Sequence, residues 1–523
     1  MMDSPSLAPA KSLVPIALAF ALVASVSPAH AQPSDATPPS AATPAAEGDT
    51  VPTQVPSTEP VEPPIAPAAP PPAPNTPTAG TEKPIGAPPG TVIETEATSS
   101  SWFTRTPLTV SVGEGDKRWA LTFYGFVEAS FIMDSTRSYS ERIGAGLVAR
   151  SDTYDGNHGR TQFSMRNTRL GMKFESPVSG GVKPSAVIEA DFYGPQTNSD
   201  TTPERTYYDA ALFRIRHAYL LLEDPYVDVL AGQTYDVFGW QNSRSTQFRL
   251  SHNFGDVKGP VTVGVAAAAV RPAQRDSGVP DGNAGIRLNV NSWKGMITTV
   301  ANSGSLAEPM FFQVSGVGRQ FKANAFAPPP TQTSNSATGW GVSFDVLIPV
   351  IPANNSNDRG NRLTLTGSFV NGTGIGDLIN INGGAMFPTL SNPAQASPAP
   401  EYDANVDQGL VTFDTQGVVH TIDWQAIKVG LQYYLPPSGR VFITANYIQG
   451  HSANMKKLFP KGGAEIELLG RVADTTRYGD VSLYWDATPA VRFGLTGAYT
   501  KVDYLDGNKP HNLRGMGIAQ YAF

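Results

Sequence analysis

From Trp119 to the C-terminus the chain alternates apolar and polar residues with a period of two. In 119–134, Leu121, Phe123, Val127, Ala129, Phe131 and Met133 share one face with Gly125, and Thr122, Tyr124, Glu128, Ser130 and Asp134 share the other. The rhythm returns further on. Leu363, Leu365 and Phe369 oppose Arg362, Thr364, Thr366 and Ser368. Ile427, Val429, Leu431, Tyr433 and Leu435 oppose Lys428 and Gln432, and Val491, Phe493, Leu495 and Tyr499 oppose Arg492, Thr496 and Thr500. Such alternation predicts strands with one face in apolar surroundings and one in water. Strands are expected near 119–134, 161–176, 184–193, 211–223, 226–235, 246–254, 260–271, 284–292, 295–303, 338–349, 361–370, 424–435, 440–450, 476–486, 490–503 and 512–523. Residues 309–320 read as a further strand or as part of a loop.

The connections separate the two folds that such strands can build. Short turns such as Glu223-Asp224-Pro225, Asp256-Val257-Lys258-Gly259, Pro436-Pro437-Ser438-Gly439 and Asp486-Ala487-Thr488-Pro489 alternate with long segments at 135–160, 194–210, 371–420 and 451–475. Short turns on one side and long loops on the other mark an all-β, transmembrane antiparallel β-barrel of about 16 strands, with both chain ends on the turn side. A secreted soluble β protein is the competing fold, its apolar faces packed on each other.

The first hundred residues read differently. The apolar run Leu13–Val26 followed by Ala29-His30-Ala31 has the form of a signal peptide, residues 1–31, which predicts a mature chain starting at Gln32. Residues 32–100 hold 18 prolines in 69 residues and cannot bury a core, so a disordered Pro/Ala-rich periplasmic linker is expected there. That linker carries eight acids and one base, a charge of −7, which equals the formal charge of the whole chain. Asp3 and Lys11 cancel, so the barrel domain, 101–523, is neutral and offers no basic field for nucleic acid. With no cysteine there is neither a disulfide framework nor a thiolate metal site.

Strand parity picks out the water-facing charges. The bases are Arg169, Lys173, Arg214, Arg216, Arg249, Arg287, Arg362, Lys428, Arg492 and Arg514. The acids are Glu128, Asp134, Glu175, Glu189, Asp191, Asp228 and Asp345. Arg169, Lys173, Arg214, Arg216 and Arg249, with Glu189 and Asp191 between them, are the candidate pore-lining set. Two readings stand: a basic wall facing an acidic one across a constriction, or charges that pair between adjacent strands and stiffen the wall. Arg166 has the opposite parity and needs a bulge or a rim position to face water. The segment from Tyr235 to Thr246, with Phe238-Gly239-Trp240 and Arg244, reads as an inward-folding loop or, more simply, as a rim loop or subunit contact. Trp424, Tyr433, Tyr434, Trp485 and Tyr499 are expected in aromatic girdles at the bilayer interfaces.

The seven histidines are scattered, and no H-E-x-x-H, G-x-S-x-G or Walker pattern occurs, so no enzyme, cofactor or metal is expected. His217 has outward parity and reads as an interface residue. Asp281-Gly282-Asn283 and Asp506-Gly507-Asn508 are turn sequences that could bind calcium in outer loops. The chain ends Tyr521-Ala522-Phe523, the aromatic pattern expected of an outer-membrane assembly signal.

Four stretches carry a family resemblance: Arg166-Asn167-Thr168-Arg169-Leu170-Gly171, Ile188-Glu189-Ala190-Asp191-Phe192, Arg214-Ile215-Arg216-His217-Ala218-Tyr219 and Leu230-Ala231-Gly232-Gln233-Thr234. In order and spacing they resemble the DcaP-like porins. The resemblance implies a homotrimer in the outer membrane of a Gram-negative bacterium, passing small anionic solutes and contacting membrane lipids, lipopolysaccharide and the outer-membrane assembly machinery. The proline-rich segment stands where that family often has a coiled coil. The alternative function is a barrel whose long outer loops, above all 371–420, act as an adhesin or enzyme.

Overall fold

The computed structural model describes residues 91–94 and 108–523, apart from 139–140, 142–147, 195–210, 240–242, 257, 275–276, 299–304, 325–333, 380–408, 414–417 and 459–471. The signal peptide and nearly all of the proline-rich linker lie outside the described residues; within 32–100 a short strand, Thr91–Glu94, interrupts the expected coil.

Sixteen antiparallel strands close into a barrel. They are β1 (Trp119–Asp134), β2 (Arg160–Ser164 and, after a break, Arg169–Glu175), β3 (Lys183–Asp191), β4 (Arg214–Glu223), β5 (Asp228–Tyr235), β6 (Arg244–Phe254), β7 (Val261–Val270) and β8 (Asp281–Thr298). There follow β9 (Ser305–Asn324), β10 (Ser334–Ile351), β11 (Arg362–Thr373), β12 (Asp423–Tyr434), β13 (Val441–His451), β14 (Ala473–Asp486), β15 (Val491–Tyr504) and β16 (His511–Ala522). Each strand pairs with the next, and β16 returns to β1 from Arg514↔Asp134 to Ala522↔Phe126. A short strand ahead of the barrel, Leu108–Val112, pairs with the start of β1 from Leu108↔Phe123 to Val112↔Trp119.

Two expectations about the strands are corrected, and they offset each other in the count. The segment 284–292 and the described part of 295–303, up to Thr298, belong to one strand, β8, and 309–320 is the middle of a full barrel strand, β9. Asn291-Ser292-Trp293 forms a bulge between Val290 and Lys294, which breaks the alternation as a turn would. Asp281-Gly282-Asn283 opens β8 and is not a turn. Asp506-Gly507-Asn508 is a turn: the Asp506 carboxylate accepts from the Asn508 amide at 3.0 Å. Among the described residues no group of His, Cys, Asp and Glu is placed to hold a metal.

The two faces of the wall divide as the alternation requires. Val127, Phe131, Met133, Phe163, Ile286, Phe344, Leu495 and Leu513 all point out and stay exposed, large apolar side chains in a number that soluble proteins rarely leave uncovered. Glu128, Asp134, Gln247, Asp345, Thr366, Gln432 and Arg514 point in. The turn-end connections are tight because their own side chains hold them: Asp224 accepts from the Tyr226 amide at 2.9 Å, and Asp256 from the Lys258 amide at 2.8 Å.

The apolar residues that do pack into a core lie inside the barrel. At the loop end, Phe238, Ile375, Leu378, Ile379, Met455 and Leu505 come in from four loops and pack on Val317, Val370, Trp424 and Ala426 of the inner wall. At the turn end, Tyr434, Phe442 and Tyr484 stack with ring centroids 4.7 and 5.0 Å apart. The girdle expectation therefore divides. Trp485 and Tyr499 face outward, whereas Trp424 and Tyr434 are fully buried inside, on the same parity as Lys428 and Gln432.

Candidate functional site

The four resemblance stretches converge on one patch of inner wall. Cross-strand registry places Arg169 of β2 opposite Asp191 of β3, and Asp191 opposite Arg214 of β4. Between Glu189 and Ala190 the β3–β4 register shifts, because β4 carries one extra residue, Arg216, at that level. The bulge turns both Arg216 and His217 inward. His217 is consequently buried, its Nδ1 3.0 Å from Thr234 Oγ1, and is not the outward interface residue that simple parity predicts.

The charges pair between adjacent strands, which is the second of the two readings of this set. Arg216 Nε donates to Glu189 Oε1 at 2.8 Å and its Nη1 to Asp191 Oδ2 at 2.9 Å. Arg214 binds Asp191 through two bonds, Nε–Oδ1 at 3.0 Å and Nη2–Oδ2 at 2.6 Å. Arg169 lies 3.4 Å from Glu189, and the Tyr124 hydroxyl donates to the other Glu189 oxygen at 3.2 Å. Three guanidinium groups thus share two carboxylates and leave a surplus of positive charge. Arg169 Nη1 and Arg216 Nη2 are buried with no hydrogen-bond partner among the described residues.

Exposure sorts the set further. The side chains of Arg169 and Arg216 keep 1% and 3% of their surface, while Arg214 keeps 16% and Lys173 42%. Lys173 pairs with Glu175 at 2.9 Å near the turn end. Arg249 faces inward on β6 opposite Leu230, with its Nε buried and unpartnered among the described residues. Lys173 and Arg214 therefore meet water, and Arg169 and Arg216 form the sealed layer behind them. Arg166 reaches the interior through the break in β2, where it binds Glu141 at 3.0 Å and the Phe192 and Gly194 carbonyls.

The loop after β5 folds into the barrel, which corrects the rim-loop reading. Phe238 is fully buried in the inner apolar cluster, and the Gly239 amide donates to Ser315 Oγ of β9 at 2.8 Å. Trp240 lies outside the described residues. Burial pushes the Asp236 carboxyl above its usual range, although Ser243 and Ser245 hydrogen-bond to it.

One residue of weight lies in the stretch left open between strand and loop. Arg319 of β9 is buried between Asp281 of β8, 2.7 Å away, and Asp377 of the loop after β11, 2.6 Å away, and it also donates to the Gly374 carbonyl. It fastens that loop to the inner wall beside Ile375 and Leu378. Its signal in the sequence was the even spacing Ser315, Val317, Arg319, Phe321, which parity puts on one face.

A closed antiparallel barrel with an apolar outside and a charged inside defines a β-barrel of the outer-membrane type. In particular, the chain has the fold of the outer-membrane channel DcaP of Acinetobacter baumannii, at a TM-score of 0.52 and 17% identity over 77% of this chain and 97% of that one. Two further solved structures are less similar: an anion-selective porin from Comamonas acidovorans (TM-score 0.44, 9% identity, 77% and 100% covered) and the high-pH structure of Pseudomonas putida OprB (0.39, 12%, 77% and 94%). No protein-family model and no curated protein sequence matches the chain.

Proposed function

We propose that this protein is an outer-membrane porin, a water-filled passage for small hydrophilic solutes with a preference for anions. The observation that carries the reading is the split between faces: large apolar side chains cover the outside, while charged groups inside keep contact with water. The side chains of Lys173, Arg287 and Arg214 retain 42%, 29% and 16% of their surface. The Arg169, Arg214 and Arg216 patch, three guanidinium groups to two carboxylates, favours anions electrostatically on that side of the water path. The likeness to an outer-membrane channel supports the same reading.

On this reading the chain is exported, matures at Gln32 and assembles through the outer-membrane machinery into a homotrimer among lipid and lipopolysaccharide. The linker stays in the periplasm, and no catalysis is involved. The described part of the loop after β11 packs inside the barrel through Ile375, Leu378 and Ile379. Purified protein in a planar bilayer tests the proposal: stepwise conductance with an anion-selective reversal potential is expected, and silent membranes at high protein load would overturn it.

A further inference from the structure

The hairpin joining β8 and β9 is unlike the other turn-end connections. The two strands stay paired beyond the wall, from Lys294↔Pro309 to Thr298↔Ser305. Just before this extension β8 spends three residues, Asn291, Ser292 and Trp293, where β9 steps directly from Met310 to Pro309. Three extra residues on one strand bend the pair sharply, and Pro309 brings no amide hydrogen to the ladder at the bend.

The bend carries the hairpin into the barrel. Gly295, Met296, Ile297 and Thr298 are all buried. Successive strand residues point to opposite faces, so four in a row need protein on both sides. On one side that protein is the inner wall of other strands. Thr364 Oγ1 donates to the Met296 carbonyl at 2.8 Å, and the Thr298 amide donates to Gln432 Oε1 at 2.7 Å. Arg492 Nη1 donates to Thr298 Oγ1 at 2.8 Å, and the Tyr434 hydroxyl to Ser305 Oγ at 2.9 Å. These partners lie on the inner faces of β11, β12 and β15. A Cβ at position 295 would stand 2.7 Å from the Thr364 methyl, so the backbone itself rests on the wall. Ile297 packs against Phe311 and Leu347. Arg492 is in turn fixed by Asp486, at 2.6 Å, which also holds Arg359 at 2.6 Å.

We propose that this inward hairpin, Lys294–Thr298 paired with Ser305–Pro309, is the size-limiting constriction of the channel and that it enters from the turn end. The inference rests on the porin reading and adds where the pore narrows. The hairpin presents Leu306, 37% exposed, and Glu308 to open space, with Glu308 4.0 Å from Arg287 of the inner wall. A solute that passes meets this ion pair and the Leu306 side chain; longer or bulkier molecules stop there.

Because the chain has no cysteine, introduced thiols report on single positions. A Leu306→Cys channel should conduct like the parent and lose current when treated with a bulky methanethiosulfonate reagent. Replacing 294–309 with an Asn-Gly turn should raise single-channel conductance and shift the exclusion limit for neutral polymers upward. A Gly295→Cys/Thr364→Cys pair should cross-link on oxidation in the folded barrel. A conducting Leu306→Cys channel insensitive to the reagent, a folded trimmed barrel with the parent's exclusion limit, or failure of the pair to cross-link would each overturn the constriction while leaving the porin reading intact. If the trimmed chain does not fold, the thiol measurements decide alone. A parent that does not conduct would overturn both.

Discussion

Gly125 and Phe523 exchange backbone hydrogen bonds: the Gly125 amide donates to the Phe523 carbonyl at 3.2 Å, and the Phe523 amide donates to the Gly125 carbonyl at 3.1 Å. This pair is the last rung of the seam between β16 and β1. Below it the strand Leu108–Val112 takes over as the neighbour of β1. A Cβ on residue 125 would stand 3.0 Å from the Phe523 ring and 2.2 Å from the Arg169 carbonyl, so only glycine lets the seam close here.

Replacing Phe523 with Ala should therefore lower the yield of assembled barrel more than it changes the conductance of those barrels that form. An open seam in the bilayer leaves backbone groups unsatisfied at several kcal/mol each. The check is outer-membrane yield and heat-modifiable gel mobility at equal expression. Parent-like yield would mean that the terminal ring is dispensable.

The arginine wall should separate into two behaviours. Replacing Lys173, the water-facing base of the set, with Gln should shift the reversal potential in a salt gradient toward cations and leave the thermal midpoint nearly unchanged. Arg216→Ala should instead destabilise, because Glu189 and Asp191 lose a buried partner; breaking such a pair costs about 3–5 kcal/mol. Reversal potentials and unfolding midpoints measured on both variants distinguish the roles. Equal effects on both quantities would refute the division.

Arg319→Met should be among the most damaging single substitutions in the barrel. It leaves Asp281 buried, and Asp377 partly buried, without their shared cation, again at a cost of about 3–5 kcal/mol. It also frees the loop segment Ile375–Ile379 from the inner wall. A lowered unfolding midpoint in detergent, together with noisier single-channel current, is expected. Adding Asp281→Asn and Asp377→Asn to Arg319→Met should recover part of the loss, which a purely steric role would not allow.

The loop after β5 should respond to pH through Asp236. Its folded carboxyl is raised above the usual value of about 4, chiefly by burial. A raised carboxyl adds stability at low pH and loses it as pH rises through the folded value. The inward loop should thus be held more firmly in mildly acidic than in neutral solution, and Asp236→Asn should remove that difference. The pH dependence of the thermal midpoint in the two proteins is the measurement.

The period-two alternation and the turn residues by themselves determined the class of fold, the closed sheet with an apolar outside, and the alternation of tight turns and long loops; the count of sixteen agreed only because two strand errors offset each other. Those properties follow from parity and turn chemistry, which are local. Parity also placed Arg169, Arg214, Glu189 and Asp191 correctly on the inner face. It failed where a strand gains residues. One extra residue at Arg216 brought His217 inside. Three at Asn291–Trp293 made one strand look like two and hid a hairpin that folds into the barrel. Trp424 and Tyr434 share the parity of Lys428, yet their size and aromatic character suggested the bilayer interface. Only the tertiary structure decided that loops from several strands fill part of the interior with apolar side chains, so that inward-facing aromatics find a core there. It also decided which inner charges meet water and which are sealed against a partner, because that depends on groups from strands and loops distant in the chain, whose approach no local pattern records.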